Sequence, residues 1–154
     1  MKELLNILLE KGLTLGSIES MTGGFFASEI TSVPGASKVY KGSLITYQVE
    51  EKIKLLKIDP KIIEEFGVVS DEVAIEMAEK GRVILNVDIA ISVTGNAGPT
   101  TEPGGKPVGD VCLAIATKDE TITTELILSG ERNVIREKCV KEMINFLEKI
   151  INEK

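Results

Sequence analysis

The chain has no histidine and no tryptophan, only two cysteines and few aromatic side chains. Without an imidazole there is no Ser-His-Asp or Cys-His triad, no histidine-ligated metal and no histidine base, so acid–base work falls to Lys, Tyr, Asp or Glu. The cysteines, Cys112 and Cys139, fall in a strand-like and a helix-like run, form no Cys-x-x-Cys pair and read as small buried hydrophobes. Also missing is any apolar run of the roughly 18 residues that a membrane-spanning helix needs. The N-terminus, MKELLNILLEKG, carries acids where a secretory signal carries only basic residues. No basic stripe is present either: the formal charge is -6 with acids and bases intermixed, which argues against a nucleic-acid partner. The expectation is a cytoplasmic protein with no membrane partner, no metal and no cofactor.

What is there suffices for one domain over residues 1–154, since 43% of the chain is hydrophobic and a core of that size needs no staples. Leu4, Leu5, Leu8 and Leu9 recur at helical spacing before Gly12 stops a first helix. Residues 14–20 read as a strand, Met21-Thr22-Gly23-Gly24 as a turn, and residues 25–32 as a helix closed by Pro34-Gly35. A second strand over 41–47 precedes helices over 50–56 and 60–66, the latter opened by Asp59-Pro60. Ser70-Asp71-Glu72-Val73 has the pattern of an N-cap followed by acids, and predicts a helix to about Leu85 with Val73, Met77 and Ile84 inward. Gly81 interrupts it, at a cost of roughly 1 kcal/mol relative to Ala. Residues 88–94 (DIAISVT) are nearly continuously apolar, as in a central strand covered on both faces. A loop over 95–108, a hairpin of strands 110–117 and 121–128, and an amphipathic helix over 131–151 complete the chain. The fold class that follows is α/β: a three-layer α/β/α sandwich with a mixed, mostly parallel sheet.

Three places can carry chemistry. Ser20 stands where a strand ends and a glycine turn opens a helix, a position at which backbone N–H groups can hold an anion. The same Ser-Met-Thr-Gly-Gly run also suits an N-cap and a close-packing turn. Tyr47 and Lys52 follow the second strand, at the same edge of the sheet. Burial lowers a lysine pKa towards about 7–8, so a neutral amine can take a serine proton while a tyrosine hydroxyl orients or relays it. Taken singly, Lys52 beside Lys54 and Lys57 equally fits a solvated helix face. The glycine- and proline-rich loop from Thr94 offers clustered N–H groups suited to phosphate or carboxylate, but lacks the order of a Walker loop.

Glu19-Ser20-x-Thr22-Gly23-Gly24, Gly42 to Tyr47 with Glu50 and Lys52, Gly67-x-Val69-Ser70, Thr94-Gly95-x-Ala97-Gly98-Pro99, Lys106-Pro107-Val108-Gly109 and Gly130-x-Arg132 occur in this order. The ordered set spans nearly the whole chain and resembles the CinA C-terminal family, the nicotinamide-mononucleotide deamidases. The resemblance implies hydrolysis of the carboxamide of nicotinamide mononucleotide to nicotinate mononucleotide and ammonia. It implies Ser20 as nucleophile, Lys52 as general base, Tyr47 as its helper, and N–H groups around Thr22, Gly23 and Gly24 as the oxyanion hole. Thr94, Gly95, Asn96, Ala97, Gly98 and Arg132 become candidates for holding the ribose phosphate. It further implies a stand-alone amidohydrolase domain, a small-molecule nucleotide as the substrate partner, and a homo-oligomer paired through an apolar edge strand or the C-terminal helix. The chain departs from the family pattern at Met21, where the family usually has Cys, and at Val49, where it usually has Asn. The glycine pair that commonly follows Gly98-Pro99 closely is displaced to Gly104-Gly105. These departures leave as the alternative a catalytically altered nucleotide-binding or regulatory domain of the same fold.

Overall fold

Alternation along two buried strands decides the layering. In the computed structural model, which describes residues 1–154, β3 (Ile89–Gly95) and β4 (Asp110–Ala116) are buried almost throughout. Ile89, Ile91, Val93, Val111, Leu113 and Ile115 face one layer. That layer is built from α1 (Lys2–Lys11), α2 (Phe25–Thr31) and α6 (Arg132–Asn152). On the other face the side chains are small: Cys112, Ala114 and Ala116 pack against Ala74 and Ala78 of α5 (Asp71–Leu85). Ser92 there donates to the carbonyl of Ala74 at 2.6 Å. Small residues on both sides let α5 lie close to the sheet, and α3 (Val49–Leu56) and α4 (Pro60–Phe66) flank it. A Cβ on Gly81 would run into Ile18, so the glycine inside α5 is a close-packing contact whose propensity cost the packing offsets.

The sheet order is β2-β1-β3-β4-β5, with β1 (Leu15–Glu19), β2 (Tyr40–Ile45) and β5 (Thr121–Ile127) completing it. β1 pairs in parallel with β2 and β3, whereas β3–β4 and β4–β5 are antiparallel. Four strands therefore point one way and only β4 runs against them, which is the mixed, mostly parallel sandwich expected. The expected N-cap is present, Ser70 Oγ accepting from Val73 N at 3.2 Å. One inward assignment is corrected. Ile84 is half-exposed, because the stripe Val73, Met77, Gly81 continues by four to Leu85, which packs against the core instead.

Candidate active site

Register brings the site together. Glu19 is level with Ile45 of β2 and Val93 of β3, so β1 and β2 end at one height and β3 runs two residues further beside them. Ligands in open α/β sheets gather at such an edge. Past it, the Ser20 amide still donates to Val93 O at 3.2 Å and Thr46 N to Glu19 O at 2.9 Å. The chain then turns through Gly23 and Gly24 with φ of 56° and 99°, left-handed values that L side chains rarely adopt. The fully buried Glu19 carboxylate fastens the turn by accepting from the amides of Gly24 (3.2 Å), Phe26 (3.0 Å) and Ala27 (3.1 Å) and the hydroxyls of Ser17 and Ser43.

Lys52 leaves the first turns of α3 and is wholly buried. Its Nζ lies 2.9 Å from Ser20 Oγ and donates to Thr46 O at 2.6 Å and Tyr47 O at 3.3 Å. No carboxylate pairs with it, and burial lowers its pKa from 10.5 to about 8. In the neutral amine the two N–H bonds can remain on the carbonyls, leaving the lone pair for the Ser20 hydroxyl. The solvated-face alternative for Lys52 is therefore excluded in this structure.

Tyr47 differs from expectation. Its carbonyl, not its hydroxyl, meets Lys52, and the exposed phenol instead accepts from Arg132 Nη2 at 3.0 Å. A relay through the Tyr47 hydroxyl is not what this arrangement provides. The backbone puts the ring outside the amine's hydrogen-bonding shell while the main chain holds the amine. The amides expected as free donors at Gly23 and Gly24 are already engaged. Gly23 N is committed to Ser20 O at 3.0 Å and Gly24 N to Glu19, whereas the amides of Met21 and Thr22 donate to no protein acceptor.

A cleft of about 370 Å³ opens over the pair. Of the expected residues it is lined by Ser20, Tyr47, Lys52, Gly95, Asn96, Ala97 and Arg132, and not by Thr22, Gly23, Gly24, Thr94 or Gly98. Thr94 is buried and donates to Val68 O at 2.8 Å, holding the segment before α5. Asn96 staples its own loop, accepting from Gly98 N at 2.9 Å and donating to Lys106 O at 3.2 Å. Arg132 Nη1 donates to Gly98 O at 2.6 Å, so its guanidinium ties the 96–99 loop to Tyr47 across the cleft mouth. Met21, Val49, Val68 and Glu102 also line the cleft and were not singled out from the sequence as wall residues. Glu19, which opens the motif around Ser20, and Arg136 lie behind it, and their contacts are legible only in the folded chain. Cys112 and Cys139 are free and buried, with burial pushing both thiols up to about 12, so neither is a nucleophile at neutral pH. No group of three or more Cys, Asp or Glu side chains converges to hold a metal, and no helix is long and apolar enough to cross a membrane.

The fold and site define an α/β/α domain with a buried serine–lysine pair at the carboxyl edge of its parallel strands. The chain belongs to the CinA family: the model of the CinA C-terminal domain matches residues 1–151. A CinA-like protein of Dictyoglomus turgidum is 45% identical over 131 residues, covering 85% of this chain and 32% of that protein. A CinA-like protein of Kosmotoga olearia is 40% identical over 146 residues, covering 95% of this chain and 35% of its own length. The chain thus spans about a third of the length of these curated relatives. The crystal structure of a competence or damage-inducible protein from Enterobacter asburiae superimposes with a TM-score of 0.95 at 31% identity, covering 97% of this chain and 94% of that one.

Proposed function

We propose that this domain is a metal-independent amidohydrolase that converts nicotinamide mononucleotide to nicotinate mononucleotide and ammonia. The observation that carries the reading is the buried, carboxylate-free Lys52 amine 2.9 Å from the Ser20 hydroxyl. The neutral amine takes the Ser20 proton as Oγ bonds to the carboxamide carbon, and the resulting oxyanion is stabilised by the unpartnered amide of Met21, the residue of the turn that lines the cleft beside Ser20. The Lys52 ammonium returns the proton to the amide nitrogen, the C–N bond breaks and ammonia leaves. Water, deprotonated by Lys52, then attacks the acyl ester, and Ser20 departs with the proton. The Tyr47 carbonyl keeps the amine aimed, while the Tyr47 hydroxyl and Arg132 face the nucleotide at the cleft mouth. The choice of substrate rests on family membership together with the Arg132 cation, which no carboxylate neutralises.

Ammonia release from nicotinamide mononucleotide, compared among wild type, Ser20→Ala and Lys52→Met, tests the reading. Release abolished in both variants is expected. Equal background release from all three, with the nucleotide still bound, sinks the enzyme and leaves the alternative of a nucleotide-binding domain.

A further inference from the structure

The two edges of the sheet are built differently. β2, at one edge, carries the exposed Lys41 and a glycine, Gly42, at φ 142°, and its pairing with β1 shifts register beside Leu15. An edge lysine and a local irregularity are devices by which edge strands avoid pairing with other chains. β5, at the opposite edge, has neither. Its sequence, TITTELI, contains no proline, glycine or lysine, and it pairs with β4 in unbroken register from Thr121 to Ile127. Its one charge, Glu125, lies 3.8 Å from Lys106 of the same chain.

Alternation decides what β5 presents. Leu128 N donates inward to Gly109 O at 2.8 Å, so in the antiparallel pattern Ile122, Thr124 and Leu126 bond to β4. The main-chain groups of Thr121, Thr123, Glu125 and Ile127 therefore point outward, and nothing in the chain pairs with them. On the α6 side, Ile122 and Leu126 lie with Phe146 and Ile150 in an open hollow of about 440 Å³. Ile127 is 88% exposed. Glu142, Lys149 and Glu153 border the hollow without an ion-pair partner in the chain. Unpaired charges of both signs suit a copy of the same surface better than a partner of one charge sign.

We propose that β5 is the interface through which two copies of this chain associate, strand against antiparallel strand, about a twofold axis at Thr124. The order of residues in the strand places the axis. An antiparallel pair centred on Thr124 engages the whole of β5: Thr121 and Thr123 exchange main-chain bonds with Ile127 and Glu125 of the second copy. On the side of the hollow, Ile122 then lies opposite Leu126 of the second copy, an apolar cross-strand pair. Centring the pair on Glu125 instead sets two carboxylates against each other, and centring it on Thr123 leaves the exposed Ile127 without a strand residue opposite. A twofold interface of this kind is closed, so association stops at the dimer.

Sedimentation equilibrium of the full chain at micromolar concentration should show a dimer. Thr123→Pro removes an outward N–H that β4 does not use, a place where an edge strand tolerates proline. Two main-chain bonds are lost by symmetry, so Kd should rise about 30-fold. Thr124→Lys and Thr124→Glu each set like charges across the axis and should be monomeric alone, while an equimolar mixture of the two should restore the dimer. Thr124→Cys should oxidise to a disulfide-linked dimer, because facing Cα atoms of a non-hydrogen-bonded pair lie within disulfide reach. Lys41→Cys, at the other edge, should not, and the native Cys112 and Cys139 are buried. A monomeric wild type, a dimer that persists in both charge variants, or cross-linking at Cys-substituted Lys41 equal to that at Thr124 overturns the proposal. If the proline or charge variants do not fold by circular dichroism, the two cysteine variants decide, and no cross-link at Thr124 overturns it. Absence of ammonia release removes the amidase reading and leaves the dimer standing.

Discussion

Replacing Lys52 with methionine should make the protein inactive and, near neutrality, slightly more stable. The charged amine is disfavoured by its burial, and a pKa lowered from 10.5 to about 8 corresponds to about 3 kcal/mol against the folded state below pH 8, where both the folded and the unfolded chain carry the proton. Methionine has similar length and no charge to desolvate. Against this, it leaves the Thr46 and Tyr47 carbonyls without the donor they now have, a loss of about 2 kcal/mol. The net gain below pH 8 is therefore about 1 kcal/mol, or roughly 2–4 °C in Tm for a domain of this size. The sign then changes with pH. Between about 8 and 10.5 the unfolded chain binds the proton and the folded chain does not, so wild-type stability rises relative to the variant. Above 10.5 the burial penalty is gone and wild type should lead by about 2 kcal/mol. Urea unfolding of both proteins at several pH values from 6.5 to about 10 reads the difference directly. In wild type the same group should give kcat/KM an ascending limb with a midpoint near 8. A stability difference that stays flat across this range, or an activity profile without that limb, would refute the argument that one desolvated amine governs both.

Three further outcomes follow from the contacts. Tyr47→Phe keeps the carbonyl that holds Lys52 and removes only the phenol that Arg132 reaches, so steady-state kinetics should show KM affected more than kcat. Glu19→Gln puts an amide NH₂ among donors that now converge on a carboxylate; it should cost about 2–3 kcal/mol and lower Tm by roughly 5–10 °C in a thermal melt. Gly81→Ala raises helix propensity yet drives a methyl into Ile18, so a net loss of about 1–2 kcal/mol should appear as a lower urea midpoint.

Period and punctuation in the sequence determined most of the architecture. The apolar run DIAISVT marks the sheet's centre, Ser70 its helix cap, Gly12 a helix end, and the short 118–120 connection the antiparallel hairpin, because each depends on neighbours within a few residues. The candidate serine and lysine were also legible, one from its place at a strand end and both from the ordered motifs around them. Only the tertiary structure decided how they act. Whether Lys52 is solvated or buried, whether Tyr47 offers a hydroxyl or a carbonyl, and which amides remain free beside Ser20 all depend on strand register and on side chains more than twenty residues away. Glu19 stands in the sequence as the first residue of a motif with no partner legible for it, and Arg136 is one base within the C-terminal helix. Each acquires its role because folding removes water from a turn whose polar groups must then find their partners within the protein.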